Sequence, residues 1–204
     1  MVETTKGKNI VVETYDAEYK EFTGDGSETA FVMTDAIAES DVKYTRAYVE
    51  TEEVVITSIT TGTKTVTLAA APADGARVEI YTPSTKNAAF TVQQDVRFSI
   101  DTRTEDIKEL GNDAVTRDVV EKTGTLELAL VQAKNHTAIN KLALNSKNDT
   151  WMVIAVKYKH TSPVSYRIFK EARVNEIGGG ISAGAVATER VTFNWKPPLE
   201  IKTT

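Results

Sequence analysis

Residues 96–130 read VRFSIDTRTEDIKELGNDAVTRDVVEKTGTLELAL and hold the sharpest changes of pattern in the chain. Val96, Phe98 and Ile100 alternate with Arg97, Ser99 and Asp101, the period-two signature of a strand with one buried face. The pattern then changes. Thr102 and Glu105 have the spacing of a capping box, Ile107 and Leu110 share one helical face, and Gly111 with Asn112 supplies a stop signal, which predicts about ten residues of helix. Leu126, Leu128 and Leu130 alternate with Thr125, Glu127 and Ala129, so a second half-buried strand is expected just past Gly124. Nothing in the stretch looks like an active site.

On the C-terminal side, residues 132–145 carry Ala138, Ile139, Leu142 and Ala143 at helical spacing, with Lys134, Asn135, Lys141 and Asn145 left for solvent. Residues 151–156 are apolar at every position, as in a strand covered on both faces. Thr161, Ser162 and Pro163 turn the chain, and residues 166–174 return it. Gly178 to Gly180 are expected to break that strand. Val191, Phe193 and Trp195 alternate in a last strand, which Pro197 and Pro198 terminate.

On the N-terminal side, residues 1–22 hold one apolar cluster, 10–12, in a polar run. They read either as a free terminus or as an arm that orders by adding a strand. Residues 22–81 are short strands separated by turn chemistry. Thr23-Gly24-Asp25-Gly26 and Ala71-Pro72-Ala73-Asp74-Gly75 are the turns, and residues 31–33, 42–49, 54–59, 66–68 and 78–80 are the strands, enough for a small β-sandwich. Thr82-Pro83-Ser84-Thr85 is the expected linker.

At 204 residues, with 41% apolar and 26% charged residues, the chain suits one large domain or two small ones. No cysteine is present, so disulfides and thiolate metal sites are excluded. The sequence shows neither a long apolar run nor a secretory leader, and membrane association is not expected. The net charge of −5 is uneven: residues 1–90 carry 15 acids and 8 bases, a net −7, against 14 acids and 16 bases, a net +2, in residues 91–204. The asymmetry points to units of different character and argues against a nucleic-acid module in the first half.

Candidate chemistry is sparse. His136 and His160 lie in no metal-ligand spacing. Gly178-Gly179-Gly180 lacks the strand-glycine-helix context of a phosphate loop, and Gly24-Asp25-Gly26 lacks the acidic repeats of a calcium loop. The glycosylation triplets at Asn135 and Asn148 have no secretory leader to give them meaning. No cofactor and no catalytic activity are expected. Asp101, Glu105, Asp106 and Glu109 are interleaved with Arg103 and Lys108, and read as a solvated face or as a contact between subunits. Lys157, Lys159, Arg167, Lys170 and Arg173 surround a predicted hairpin. They read as a solvated edge that blocks stray strand pairing, or as a surface complementary to the acidic unit of a neighbour.

Two stretches carry a family resemblance. FSIDTRTEDIKELGND at 98–113 followed by GTLEL at 124–128, and YRIFKEARVNEIGGGISAGAVATERVTFNWKPP at 166–198, are similar to the central segment and closing strands of tail tube proteins of tailed bacteriophages and related archaeal viruses. In the closing strands, Thr188, Glu189, Val191 and Phe193 match the family's pattern. Together the two stretches cover roughly residues 91–200. FTGDGSETAF at 22–31, closed by APADGARVEIY at 71–81, resembles small β-domains of virus tail proteins, including parts of tail fibres. Here Glu50-Thr51-Glu52-Glu53 stands where those domains have a glycine-rich hairpin.

The resemblance implies a mainly β protein: a β-sandwich or barrel of the tail-tube type with one flanking α-helix, plus a second small β-sandwich. The expected division is an arm or first strand at 1–19, a small acidic β-domain at 20–84, inserted in the tube fold or preceding it, and the tube-like domain at 85–204. The implied function is that of a structural virion protein, made in the host cytoplasm and built into stacked, usually hexameric rings that conduct viral DNA during genome ejection without holding it. The implied partners are copies of the chain itself, a tape-measure protein, a terminator and a sheath. A tail-fibre or connector module is the competing expectation.

Overall fold

Alternating apolar residues need a ladder of backbone hydrogen bonds before they can bury a face, and in this chain nearly all of them find one. The computed structural model describes residues 3–6, 10–87, 89–92, 95–108, 115–158, 164–180 and 188–203. In chain order its elements are β1 (Glu3–Lys6), β2 (Ile10–Thr23), β3 (Ala30–Val32), a 3-10 turn (Val42–Tyr44), β4 (Arg46–Val49), β5 (Glu52–Glu53), β6 (Ile56–Thr60), β7 (Thr65–Leu68), β8 (Arg77–Lys86), β9 (Phe90–Val92), β10 (Asp95–Lys108), β11 (Val115–Val131), α1 (Gln132–Lys147), β12 (Met152–Tyr158), β13 (Ser165–Gly180), β14 (Thr188–Trp195) and β15 (Glu200–Thr203). The protein is mainly β, a curled half-barrel sheet with one helix and a smaller second sheet, in agreement with the expected fold class.

The large sheet runs β1-β10-β11-β14-β13-β12-β2-β8-β4-β5, with β15 added to β13 and β9 to β2, and the small sheet runs β3-β7-β6. Curling depends on strands that change partner midway. β13 pairs β12 from Ser165 to Ala172 and β14 from Arg173 to Gly180, with register shifts in both ladders. β2 pairs β12 over its first half and β8 over its second. Each shift adds local twist and bends the strand.

The main core lies inside the curl. Leu126, Leu128 and Leu130 of β11 and Val191, Phe193 and Trp195 of β14 meet Ile10 and Val12 of β2, Met152, Ile154 and Val156 of β12, Phe169, and Ala138, Ile139 and Leu142 of α1. On the reverse face of β12, Val153 and Ala155 pack with Tyr15, Tyr44 and Ile168. That strand is therefore covered on both sides, as its unbroken apolar run predicts. A separate core joins Phe31, Met33, Ile59, Val66 and Leu68 to Ala47, Val78 and Ile80 beneath the small sheet. The helix is tethered by Asp16, whose carboxylate accepts hydrogen bonds from Asn87 Nδ2 and Asn145 Nδ2, both at 2.8 Å, and lies 2.8 Å from Lys141 Nζ. Burial works against ionisation of Asp16, but these three donors outweigh it and hold the carboxyl below its ordinary range.

Four expectations are corrected. The helix predicted after Thr102 is strand: β10 continues to Lys108, paired with β11 out to Lys108↔Val115. Two apolar side chains over ten residues cannot hold so short a helix, whereas Thr102, Thr104 and Ile107 are β-branched and the ladder satisfies the backbone. Glu109, Leu110, Gly111 and Asn112 lie outside the described residues. β11 begins at Val115 rather than after Gly124, which sits within the strand opposite Ile100 and Trp195. Gly178 to Gly180 do not break β13, because they pair with Arg190, Glu189 and Thr188. Thr82 to Thr85 are strand rather than linker, since β8 runs through them on the edge of β2. Pro83 fits this ladder beside the register shift at Asp16 and Ala17.

Gly124 is required by close approach, since a Cβ there would overlap the Trp195 indole. Gly124→Ala should therefore lower unfolding free energy by about 1–3 kcal/mol in chemical denaturation, through displacement of Trp195. An unchanged midpoint would show that the indole is not held against this strand.

Candidate assembly site

The residues singled out as interface candidates fall into different settings. Asp101 is exposed on β10. Arg103, Glu105 and Asp106 occupy β10 at positions opposite Glu121, Asp118 and Arg117, so the helical spacing that would have gathered the acids does not exist. Glu109 and Lys159 lie outside the described residues. Lys157 is half-buried on β12, with its ammonium 4.9 Å from the centre of the Tyr166 ring. The Arg167 guanidinium lies over Phe98 and Tyr158 at 4.9 and 5.1 Å. Arg173 stacks on Trp151 at 3.5 Å and donates from Nη1 to Asp149 Oδ2 at 2.6 Å. Lys170 is buried. The four described bases therefore do not form one solvated edge.

Lys170 belongs to a network that sequence reasoning missed. It begins with the backbone of β13, where Met152↔Ala172 and Ile154↔Phe169 leave Lys170 and Glu171 together opposite a single position of β12. Glu171 takes φ 48°, a left-handed conformation that costs a non-glycine residue about 1–2 kcal/mol. The extra residue brings the neighbouring side chains Lys170 and Glu171 both under cover. Facing them is Arg46, 1% exposed, on β4.

The Arg46 guanidinium gathers the surrounding acceptors. Nη1 donates to Glu171 Oε1 at 3.1 Å and to the carbonyls of Lys196 at 3.0 Å and Pro197 at 3.3 Å, and Nη2 donates to the Pro198 carbonyl at 3.1 Å. Nε lies 3.1 Å from Glu53 Oε1, close enough for charge attraction but not aligned for a hydrogen bond. Tyr48 donates its hydroxyl to Glu171 Oε1 at 2.5 Å. Lys170 Nζ donates to the Thr45 carbonyl at 3.2 Å and to Glu200 Oε1 at 3.4 Å. Burial works against the charge on Arg46, but Tyr48, Glu53 and Glu171 outweigh it and hold the group charged. Burial, with Arg46 nearby, pushes Lys170 below the ordinary lysine range, and burial together with the Glu171 hydrogen bond pushes the Tyr48 phenol up.

Sequence carries a faint signal of this joint. Ile168, Phe169, Lys170, Glu171 and Ala172 break period two in the middle of an otherwise alternating strand, which is how a bulge reads. Arg46 has no such mark. Its partners are 125 and about 150 residues distant, at Glu171 and at the carbonyls 196–198.

Beside the network a cleft of about 550 Å³ opens between β11, β13 and β14, lined by Lys122, Trp151, Arg173, Asn194, Trp195 and Lys196 among others. Among the described residues no group of three or more His, Asp or Glu is placed to hold a metal ion, and no helix is long and apolar enough to cross a membrane.

No protein-family model matches the chain, and no curated protein matches it. Among solved structures, it is similar to a chain of the anti-feeding prophage baseplate, determined by cryo-EM with 6-fold symmetrisation. The TM-score is 0.40 and the identity 12%, covering 52% of this chain and 76% of that one.

Arg46→Met would leave Glu171 buried without its hydrogen-bonded cation, the exposed Lys196 standing 3.8 Å away as the remaining charge partner. The variant should unfold about 3–5 kcal/mol more easily in denaturant, a loss typical of breaking a buried pair from one side. A loss below about 1 kcal/mol, the size of an exposed pair, would show that the network contributes no more than a surface contact.

Proposed function

We propose that this chain is a structural subunit of a viral tail tube, which assembles with copies of itself into stacked, hexameric rings that conduct viral DNA. The observation that carries the reading is the ribbon formed by β10 and β11. β1 pairs β10 only over residues 95–98, and β14 pairs β11 only over 124–131. Among the described residues, 99–108 and 115–123 therefore pair with each other alone. A two-stranded ribbon is marginally stable in water by itself, and a third strand or a packed face is what stabilises one. A neighbouring copy supplies that support in a ring. Closing the curled sheet across subunits also removes the open edges at β1 and β5, which otherwise invite indiscriminate pairing.

The sequence resemblance of 98–113, 124–128 and 166–198 to tail tube proteins supports the same reading, because the ribbon and the strand that closes the curl lie in those stretches. In this proposal Asp101 and the acids and bases of the ribbon serve subunit contact, and the role is non-enzymatic. The small acidic unit within 20–84 is displayed outward on its own core. Tape-measure protein, terminator and sheath are the partners, and DNA passes without specific binding. A tail-fibre or connector module is the second reading, favoured by the separate core under the small sheet.

Electron microscopy of the purified chain, with its mass measured in solution, tests the proposal. Rings or tubes are expected, and a monomer or trimer would contradict it. Replacing residues 100–123 by an Asn-Gly turn between Ser99 and Gly124 should preserve a cooperative melting transition while abolishing assembly. Assembly that survives the deletion would remove the ribbon from the interface.

A further inference from the structure

Two surfaces of opposite charge stand at different places on the chain. The first is the cleft beside the buried network. Lys122 and Lys196 are exposed at its rim, Arg173 lies against Trp151 and pairs with Asp149, and its single acid, Glu171, is engaged by Arg46 and Tyr48 with Lys196 Nζ 3.8 Å from its other oxygen, so cations outnumber acids along the lining. Two buried donors of its lining residues, Trp195 Nε1 and Arg173 Nε, have no hydrogen-bond acceptor among the described residues. The cleft thus carries an excess of positive charge at its rim, the complement of a carboxylate.

The second surface is the pair of loops at the far end of β2. Gly24 donates its N–H to the Ala76 carbonyl at 2.8 Å, Gly75 to the Gly24 carbonyl at 3.0 Å, and Gly26 to the Pro72 carbonyl at 3.2 Å, so the two loops form one prong. A Cβ at Gly24 would come within 2.5 Å of the Ala73 carbonyl oxygen, which shows how closely the loops are joined. Asp25, Glu28 and Asp74 are exposed on the prong, and residues 23–30 and 69–76 include no base. The prong cannot reach the cleft of its own copy. Ala17 is hydrogen-bonded to Trp151 at the cleft, whereas Gly24 follows it by seven residues of extended chain, roughly 20 Å away at strand rise.

We infer that the acidic prong of one copy docks in the basic cleft of the next. The occupant is a second copy because the chain carries both halves of the complement, and a contact between two different patches propagates head to tail and closes a ring when the rotation allows. The inference rests on the ring reading and names one of its contacts.

Charge reversal tests it. Lys122→Glu with Lys196→Glu alters the cleft, and Glu28→Lys with Asp74→Lys alters the prong, all at exposed positions. In sedimentation velocity each double variant should associate about tenfold or more weakly than wild type, because like charges then meet. Mixing the two double variants should restore assembly, since each reversed surface then meets its opposite, and the quadruple variant should assemble alone. The restorations distinguish a lost contact from a lost fold. Assembly unaffected by either reversal, or reversal without restoration, would overturn this contact and leave the tube reading standing. A wild-type chain that stays monomeric would overturn both.

Discussion

A single guanidinium holds the bend of this molecule. β13 leaves β12 and joins β14 at the point where an extra residue enters the strand, and Glu171 accepts a left-handed conformation there. A buried carboxylate at a strained backbone position is unfavourable twice over, through lost hydration and through φ. Arg46 offsets both by pairing with the carboxylate and by binding the carbonyls of residues 196–198, which leave β14 on the other side. Three chain segments distant in sequence thereby share one donor group. The curl of the sheet and the course of the chain from β14 to β15 depend on it.

The same joint links the two cores. Arg46 and Tyr48 belong to β4, whose Ala47 packs beneath the small sheet, while Glu171 stands beside Ala172 and Phe169 of the main core. The small sheet therefore reaches the half-barrel through a shared sheet and a polar lock. The acids of residues 1–90 serve partly in internal pairs, where Glu53 approaches the buried Arg46 from the surface and the half-buried Asp16 holds α1, and partly stand free of bases on the prong. Part of the positive charge of the second half faces aromatic rings: Lys157 lies over Tyr166, Arg167 over Phe98 and Tyr158, Arg173 over Trp151 and Lys196 over Tyr48. Rings placed in this way cover the aliphatic stem and attract the charge while leaving its head in reach of solvent.

Where burial decides conformation, the fold was legible in the residues. Leu126, Leu128 and Leu130, the Val191, Phe193 and Trp195 series, the continuous apolar run of β12, and α1 with its Ala138, Ile139 and Leu142 all took the form their spacing implies. Local signals misled where a ladder could override them. A capping-box spacing at Thr102 and Glu105 contributes one or two hydrogen bonds, whereas pairing along β10 and β11 satisfies the whole backbone. The glycines of β13 and the proline of β8 read as punctuation but lie beside partners that tolerate them. The charge network was not legible, because Arg46, Glu171 and three main-chain carbonyls share no spacing. The candidate contact surfaces were legible only as composition. The strand geometry that buries Lys170 and stacks Arg173 on Trp151 is a tertiary property that no spacing announces.

The claim that Arg46 and Glu171 act as one unit is tested most directly by a double-mutant cycle in denaturant, using Arg46→Met, Glu171→Gln and the pair together. The account predicts a coupling of about 1–3 kcal/mol, the double variant being less damaged than the sum of the singles. Additive losses, with coupling below about 0.5 kcal/mol, would contradict it and make the bend a property of backbone pairing alone.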